Sequence, residues 1–250
     1  MDKIRVEEAT DGVHLVTLTD PERRNAMGEQ MGAELRSFAA SVDADPATRA
    51  VVITGEGKAF CAGADLPALF GDPDRHVTDQ HAILSEYYQA FLDIHRLAVP
   101  TIAAVNGPAV GAGLNLAMAC DLRIAGPKAA FAATFAKIGL HPGGGCTHFL
   151  VQSIGASRAL RTLLLGDAID ADRAVAWGLA DGPEDEPVAA ALEVATAVAA
   201  VDGPLARHIK KAVRLASATG DLDATLEYET WAQAASASSD TLQTWVDKFR

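Results

Sequence analysis

Two short glycine-bearing segments, Ala62-Gly63-Ala64 and Gly111-Ala112-Gly113, are the parts of this chain best suited to chemistry. Each offers backbone N–H groups that no bulky side chain shields. A pair of such donors can hold an oxygen on which negative charge develops, with no reorganisation needed first. The second segment opens a run of helical pattern, so the positive end of a helix dipole adds to it. A dinucleotide site is the competing use of Gly111 to Leu116, which follows a strand pattern and opens a helix. It fails on two counts: the sixth position is Leu116 rather than Gly or Ala, and no acidic residue about 20 positions on can hold a ribose. The three cysteines, Cys61, Cys120 and Cys146, are widely spaced and form no CxxC. Neither a disulfide framework nor a metal site is indicated, and each is read as a buried thiol.

The elements that must position these segments follow from composition and periodicity. The chain has 250 residues, with 33 Asp+Glu against 21 Lys+Arg and a net charge of −12. That balance repels a phosphate backbone, and no Lys/Arg cluster with interleaved aromatics occurs, so nucleic acid is excluded as a partner. Any polyanionic ligand has to be met by a local basic patch. With 49% hydrophobic residues the chain can build a substantial core, as one large domain or one domain with an appendage. The amino terminus shows no signal-peptide pattern. The most apolar windows, Val99 to Val105 and Val188 to Val201, are short or interrupted by Glu193, below the ~18 apolar residues of a membrane span. A cytoplasmic protein without membrane association is expected.

Ile4, Val6, Val13, Leu15 and Thr17 partly alternate around Asp11-Gly12, which predicts a hairpin. Met27, Met31, Leu35, Phe38 and Val42 recur at helical spacing as far as Asp45-Pro46. Ala50 to Thr54 and Thr101 to Val105 read as buried strands, with a long helix marked by Ile83, Tyr87, Phe91 and Ile94 between them. Gly111 to Ala119 reads as a helix, Leu122 to Ala125 as a strand, and Ser157 to Leu165 as a helix following Gly143-Gly144-Gly145. Beyond Asp167 the strand signal disappears. Four helices are expected there: Asp170 to Trp177, Val188 to Val201, Leu205 to Ala218 and Leu222 to Ser236. This is an α/β core followed by a helical part.

Four segments carry a more specific signal: Arg23-Arg24-Asn25-Ala26, Lys58 to Leu66 (KAFCAGADL), Ala103 to Gly113 (AAVNGPAVGAG), and Leu116 to Asp121 (LAMACD). In order and spacing they resemble the signature segments of the crotonase superfamily, the enoyl-CoA hydratase/isomerase family. Leu165 to Asp167 and Ala174 to Ala180 are similar to that family's segment ahead of its helical region, and the resemblance runs from about residue 3 to 215. It implies an α/β fold built as a spiral of ββα units, with an acyl-CoA site within residues 1–185. It also implies a C-terminal helical region, residues 186–250, that mediates assembly as a homotrimer or a dimer of trimers. The oxyanion donors it implies are the N–H groups of Ala64 and Ala112, facing the thioester carbonyl of an acyl-CoA. Gly63, Gly111 and Gly113 would leave room for backbone to approach ligand. Arg24 and Lys58 fall where members with basic residues near the CoA phosphates carry them, with Arg23 a further candidate. Ala62, Asp65 and Leu66 resemble the loop that meets the adenine, and Ala26 is a further coenzyme contact that the resemblance implies. No prosthetic group is implied; coenzyme A enters as part of the ligand.

The chain departs from the family at the residues that move protons. A hydratase of this family uses two glutamates, one in the helix after the glycine segment and one four residues beyond the position of Phe131; here these are Asn115 and Phe135. Asn orients or hydrogen-bonds but takes no proton at neutral pH, and Phe only packs. No Asp or Glu occurs anywhere from Leu122 to Gly166. His141, in the turn Leu140-His141-Pro142-Gly143, is the candidate base, with His148 second. Tyr87 and Tyr88 lie on a helix that contributes active-site residues in some members, but read as core. The segment Gln243 to Arg250 is a shortened form of the Ala-Phe, Glu-Lys-Arg ending with which many members reach a neighbouring subunit's CoA. Two functions follow: an enzyme that stabilises an enolate-like oxyanion on an acyl-CoA, with weak or absent hydratase activity, or a non-catalytic acyl-CoA carrier or sensor. A substrate not linked to CoA is a third.

Overall fold

In the computed structural model of the protein, residues 2–249 are described; Met1 and Arg250 lie outside them. Contacts divide the chain into Met1–Ala199 and Ala200–Arg250. In the first unit the hairpin β1 (Ile4–Thr10) and β2 (Val13–Leu18) is antiparallel and turns at Asp11-Gly12. It extends through β3 (Ala50–Gly55), β4 (Thr101–Val105) and β6 (Leu122–Ala125), all parallel, into a five-stranded sheet ordered β1-β2-β3-β4-β6. A second, three-stranded sheet holds β5 (Pro108–Val110), β7 (Ala130–Ala132) and β8 (Ile169–Asp170), in the order β5-β7-β8.

The chain visits the two sheets in turn. β4 and β5 are followed by helix α4 (Ala112–Ala119), β6 and β7 by helix α5 (Cys146–Leu165). An earlier turn of the same path runs from β3 through Cys61, which bridges Ala109 in parallel beside the second sheet, to helix α3 (Val77–Arg96). This is the ββα spiral expected from the resemblance.

Side-chain alternation explains why β3 and β4 read as unbroken apolar runs. Val51, Ile53, Ala103 and Val105 face the main core with α3, α4 and helix α1 (Glu29–Ala44). Ala50, Val52, Ile102 and Ala104 face Ala191 and Ala195 of helix α7 (Pro187–Ala199). Helix α7 therefore belongs with the core, and the boundary expected at residue 185 falls before it rather than after it. Helix α6 (Ala171–Ala176) and the five-residue α2 (Leu66–Phe70) complete the first unit.

Three expectations are corrected. The strand signal does not end at Asp167, because Ile169–Asp170 pairs with β7; two residues are too few to show a period. The helix expected from Ser157 begins at Cys146, and Gly155, with φ +77° and ψ 160°, breaks its geometry in the middle. Met27 lies outside α1 and forms a bridge to Ala64 instead.

The second unit contains α8 (Gly203–Thr219), α9 (Leu222–Ser236) and α10 (Asp240–Asp247), each opened by a side-chain cap: Asp202, Asp221 and Ser239. Within it α8 packs on α9, while Ile209, Val213, Trp231 and Trp245 are exposed. Among the described residues no single helix is long and apolar enough to cross a membrane.

Candidate active site

The site is built on two turns, and two buried or half-buried asparagines fix the first of them. Asn25 donates through Nδ2 to the carbonyls of Glu56 (3.0 Å), Ala59 (2.9 Å) and Phe60 (3.3 Å), while its Oδ1 accepts from the Asp20 N–H. Asn106 donates to the Gly55 and Gly57 carbonyls. The chain leaving β3 is thereby folded back beside β5: Cys61 donates its N–H to the Pro108 carbonyl (3.2 Å) and accepts from Val110 (2.9 Å). At Gly63, with φ +113°, it turns again.

The Gly63 carbonyl accepts from the Met27 N–H (2.7 Å), and the Asp65 N–H donates to the Met27 carbonyl (3.2 Å). Along an extended segment successive backbone groups face opposite sides. The Ala64 N–H between these two bonds therefore faces away from Met27, and it has no protein partner among the described residues.

The second turn carries the matching donor. Gly111, at φ +54° and ψ −113°, caps α4 and accepts the helix's first bond from Asn115 (3.0 Å). The Ala112 N–H belongs to the first helical turn, where no intrahelical acceptor exists. The turns face each other: a Cβ built on Gly63 would lie 3.0 Å from the Val110 oxygen and 4.0 Å from the Ala112 nitrogen. Gly113 has a different role from the one expected, since a Cβ there would fall 2.1 Å from the Cys61 oxygen. It lets the two turns pack, whereas at Gly111 the nearest atom to such a Cβ is Phe135 Cζ at 3.9 Å.

In front of the turns lies a cavity of about 310 Å³. Ala62, Ala64, Leu66, Ala112, Asn115 and His141, all expected site residues, line it. So do Phe135, Tyr87 and Tyr88, together with Leu69, Phe70 and Ile138, which carried no signal beyond being apolar. No Asp or Glu is among the lining residues; the titratable groups are His141, Tyr87 and Tyr88. Burial raises the Tyr87 phenol well above its ordinary value and raises that of Tyr88 as well. Cys61 beneath the first turn is pushed up to about 11 by burial, so it stays a thiol at neutral pH.

Asn115 is 2% exposed and donates through Nδ2 to the Gly143 carbonyl at 2.9 Å; its buried Oδ1 has no partner among the described residues. His141 is exposed, with Nδ1 2.7 Å from the Pro142 carbonyl oxygen. A carbonyl only accepts, so the bonded nitrogen carries the proton and the neutral ring keeps its lone pair on Nε2. His148 is exposed beside Phe149 and does not line the cavity.

The residues expected at the coenzyme are partly joined. Ala62 donates its N–H to the Arg24 carbonyl (2.9 Å), and Ala26 sits half-buried on the same strand of chain. The Arg24 and Lys58 side chains are exposed and make no ion pair among the described residues. Arg23 instead binds Asp65 at 2.7 Å, and the Asp65 carboxylate also caps α2 through the Ala68 N–H. The Arg23 guanidinium holds the Asp65 carboxyl below its ordinary range. Among the described residues no three His, Cys, Asp or Glu are grouped to hold a metal.

The spiral and its two facing turns define a protein of the crotonase fold class. The family model for enoyl-CoA hydratase/isomerase matches residues 8–250. This chain belongs to that family. The probable enoyl-CoA hydratase EchA14 of Mycobacterium tuberculosis is 48% identical over 214 residues, covering 84% of this chain and 81% of its own. A 4-chlorobenzoyl coenzyme A dehalogenase of an Arthrobacter species is 34% identical over 173 residues, 69% of this chain and 63% of its own. A Thermobifida fusca structure in complex with CoA superposes with a TM-score of 0.83 at 33% identity, covering 94% of this chain and 92% of that one.

Proposed function

We propose that this chain is an enzyme that binds an acyl-CoA thioester with its carbonyl oxygen between the Ala64 and Ala112 N–H groups and moves protons through His141 rather than through carboxylates. The carrying observation is that the cavity in front of the two unpartnered donors contains no Asp or Glu. As negative charge gathers on the thioester oxygen, the two fixed donors and the N-terminus of α4 stabilise an enolate-like intermediate. His141 Nε2, unprotonated in the neutral ring, takes the proton released. Asn115, clamped to Gly143, shapes the wall beside the reacting carbons. A positioned acid or base is worth ~10²–10⁴ in rate, so replacing both family glutamates by Asn115 and Phe135 leaves conventional enoyl-CoA hydration weak or absent.

Arg24 and Lys58, unpaired and exposed, meet the CoA phosphates, and Ala26, Ala62, Asp65 and Leu66 the adenosine end. The exposed Ile209, Val213, Trp231 and Trp245 of the second unit are covered in a homotrimer or a dimer of trimers. The three cysteines are buried and form no disulfide among the described residues, which suits a reducing cytoplasm.

The competing reading is a non-catalytic acyl-CoA carrier or sensor, favoured by the exposure of His141. Calorimetry and turnover with crotonyl-CoA and longer, branched and aromatic esters separate the two. Turnover lost in His141→Ala while binding persists supports the enzyme; tight binding with no turnover in either protein supports the carrier.

A further inference from the structure

A second cavity, of about 580 Å³, lies between α1 and α3. It shares two lining residues with the active-site cavity, Leu69 and Tyr87, so these two side chains are the partition between them. The Tyr87 hydroxyl is bonded to the Met27 carbonyl, and what remains of that side chain to face either cavity is ring surface. The Leu69 carbonyl is held by Arg75 (2.9 Å) and Gln80 (3.1 Å), which fixes α2 and leaves the isobutyl group as the movable part of the wall.

Charge at the second cavity argues against an anionic occupant. Arg36, the cation that lines it among the described residues, is paired with Glu86, and Glu29 adds a negative charge at the rim. The floor beneath that rim is apolar, formed by Met27, Ala90 and Leu69, with Ile83 beside them. An uncharged chain entering past Leu69 finds apolar surface to bury, at about 0.8 kcal/mol or fourfold in affinity per methylene.

We infer that the second cavity receives the distal end of the acyl chain, which makes the protein selective for long, unbranched acyl thioesters. This rests on the acyl-CoA reading above. The test is calorimetric binding of CoA, butyryl-, octanoyl- and dodecanoyl-CoA to the wild type and to Ala33→Phe and Ala82→Phe. Both positions line the second cavity only and are exposed, so a phenyl ring enters the groove without displacing core atoms. In the wild type, affinity rises about fourfold per methylene between octanoyl and dodecanoyl; in either variant the gradient flattens to less than about twofold over the whole interval. Butyryl-CoA binding with no gain for longer chains, or a gradient unchanged in both variants, overturns the second-cavity assignment and leaves the thioester reading standing. Failure of CoA and all three esters to bind removes the thioester reading, and this inference with it.

Discussion

The Tyr87 hydroxyl donates to the Met27 carbonyl oxygen at 3.2 Å, and the same oxygen accepts the Asp65 N–H at 3.2 Å. A side chain of α3 thus braces the bridge that holds Ala64 in place. In Tyr87→Phe the ring contacts with Tyr88 and Phe91 persist and the Met27 oxygen keeps one donor, so stability falls by about 1 kcal/mol or less. The looser bridge lets the Ala64 N–H wander, so a bound thioester is polarised less. Infrared spectra of an isotope-labelled acyl-CoA should show a smaller carbonyl shift in the variant than in the wild type. A purely structural role for Tyr87 would leave that shift unchanged.

The glycines of the second turn should separate by mechanism. Gly113→Ala places a methyl group 2.1 Å from the Cys61 oxygen and 2.7 Å from its Cβ, with backbone on the far side. That overlap cannot relax through a flexible side chain, and the cost exceeds about 2 kcal/mol. Gly111→Ala meets no atom within 3.9 Å but forces an alanine into φ +54° and ψ −113°, a strain of about 1–3 kcal/mol. Urea denaturation should therefore rank Gly113→Ala below Gly111→Ala. Thioester binding should be weakened in Gly111→Ala even where the protein remains folded, because the strain is relieved by turning the Ala112 N–H.

Glu34 ties the start of β1 to α1. Burial alone would raise its carboxyl, but the N–H groups of Asp2 (2.9 Å), Lys3 (2.9 Å) and Ile4 (3.0 Å), with the Gln30 amide, outweigh burial and hold it below the ordinary range. A carboxyl lowered on folding adds stability that is full above its unfolded pKa of about 4.3 and is lost as pH falls through the folded value. Glu34→Gln should cost about 1–3 kcal/mol at neutral pH. Urea titrations of both proteins should show that gap closing below about pH 4.

Most of the fold was legible because its longer elements carry a period or an unbroken apolar run: strands β1 to β4 and helices α3, α4, α8 and α9 fall where the apolar pattern puts them. β5, β7 and β8 span three, three and two residues, too short for any period to appear, and pairing across the spiral alone defines them. The oxyanion turns were legible as glycine-bearing segments, but the reason for Gly113 was not. Its Cβ meets the Cys61 carbonyl, a contact between residues some fifty positions apart that no local pattern encodes. Tyr87 and Tyr88 sit on a helical stripe, and a stripe signals burial without distinguishing core from cavity wall. The emptiness of the cavity of carboxylates was foreshadowed by the acid-free stretch from Leu122 to Gly166, which supplies its far wall.

That missing carboxylate leads to the most discriminating substitution, at Asn115. The Nδ2 of Asn115 sits 2.9 Å from the Gly143 oxygen, while Oδ1 is buried without a partner among the described residues. An aspartate of the same shape would set an oxygen against the Gly143 carbonyl, so folding would hold it protonated, with a pKa raised above the unfolded value of about 3.9. For a raised carboxyl, stability is full below the unfolded pKa and is lost as pH rises towards the folded one. Asn115→Asp should therefore be about 2–4 kcal/mol less stable than the wild type at neutral pH and recover in acid, where its O–H donates to Gly143. Asn115→Leu forfeits the same clamp but carries no charge and no orphaned oxygen, so its deficit should be smaller than that of Asn115→Asp at neutral pH and flat with pH. Urea unfolding of the three proteins across the acid range measures both slopes. A flat deficit for Asn115→Asp would mean that a donor already faces Oδ1 in solution, and the cavity wall would then be able to hold a charged carboxylate after all.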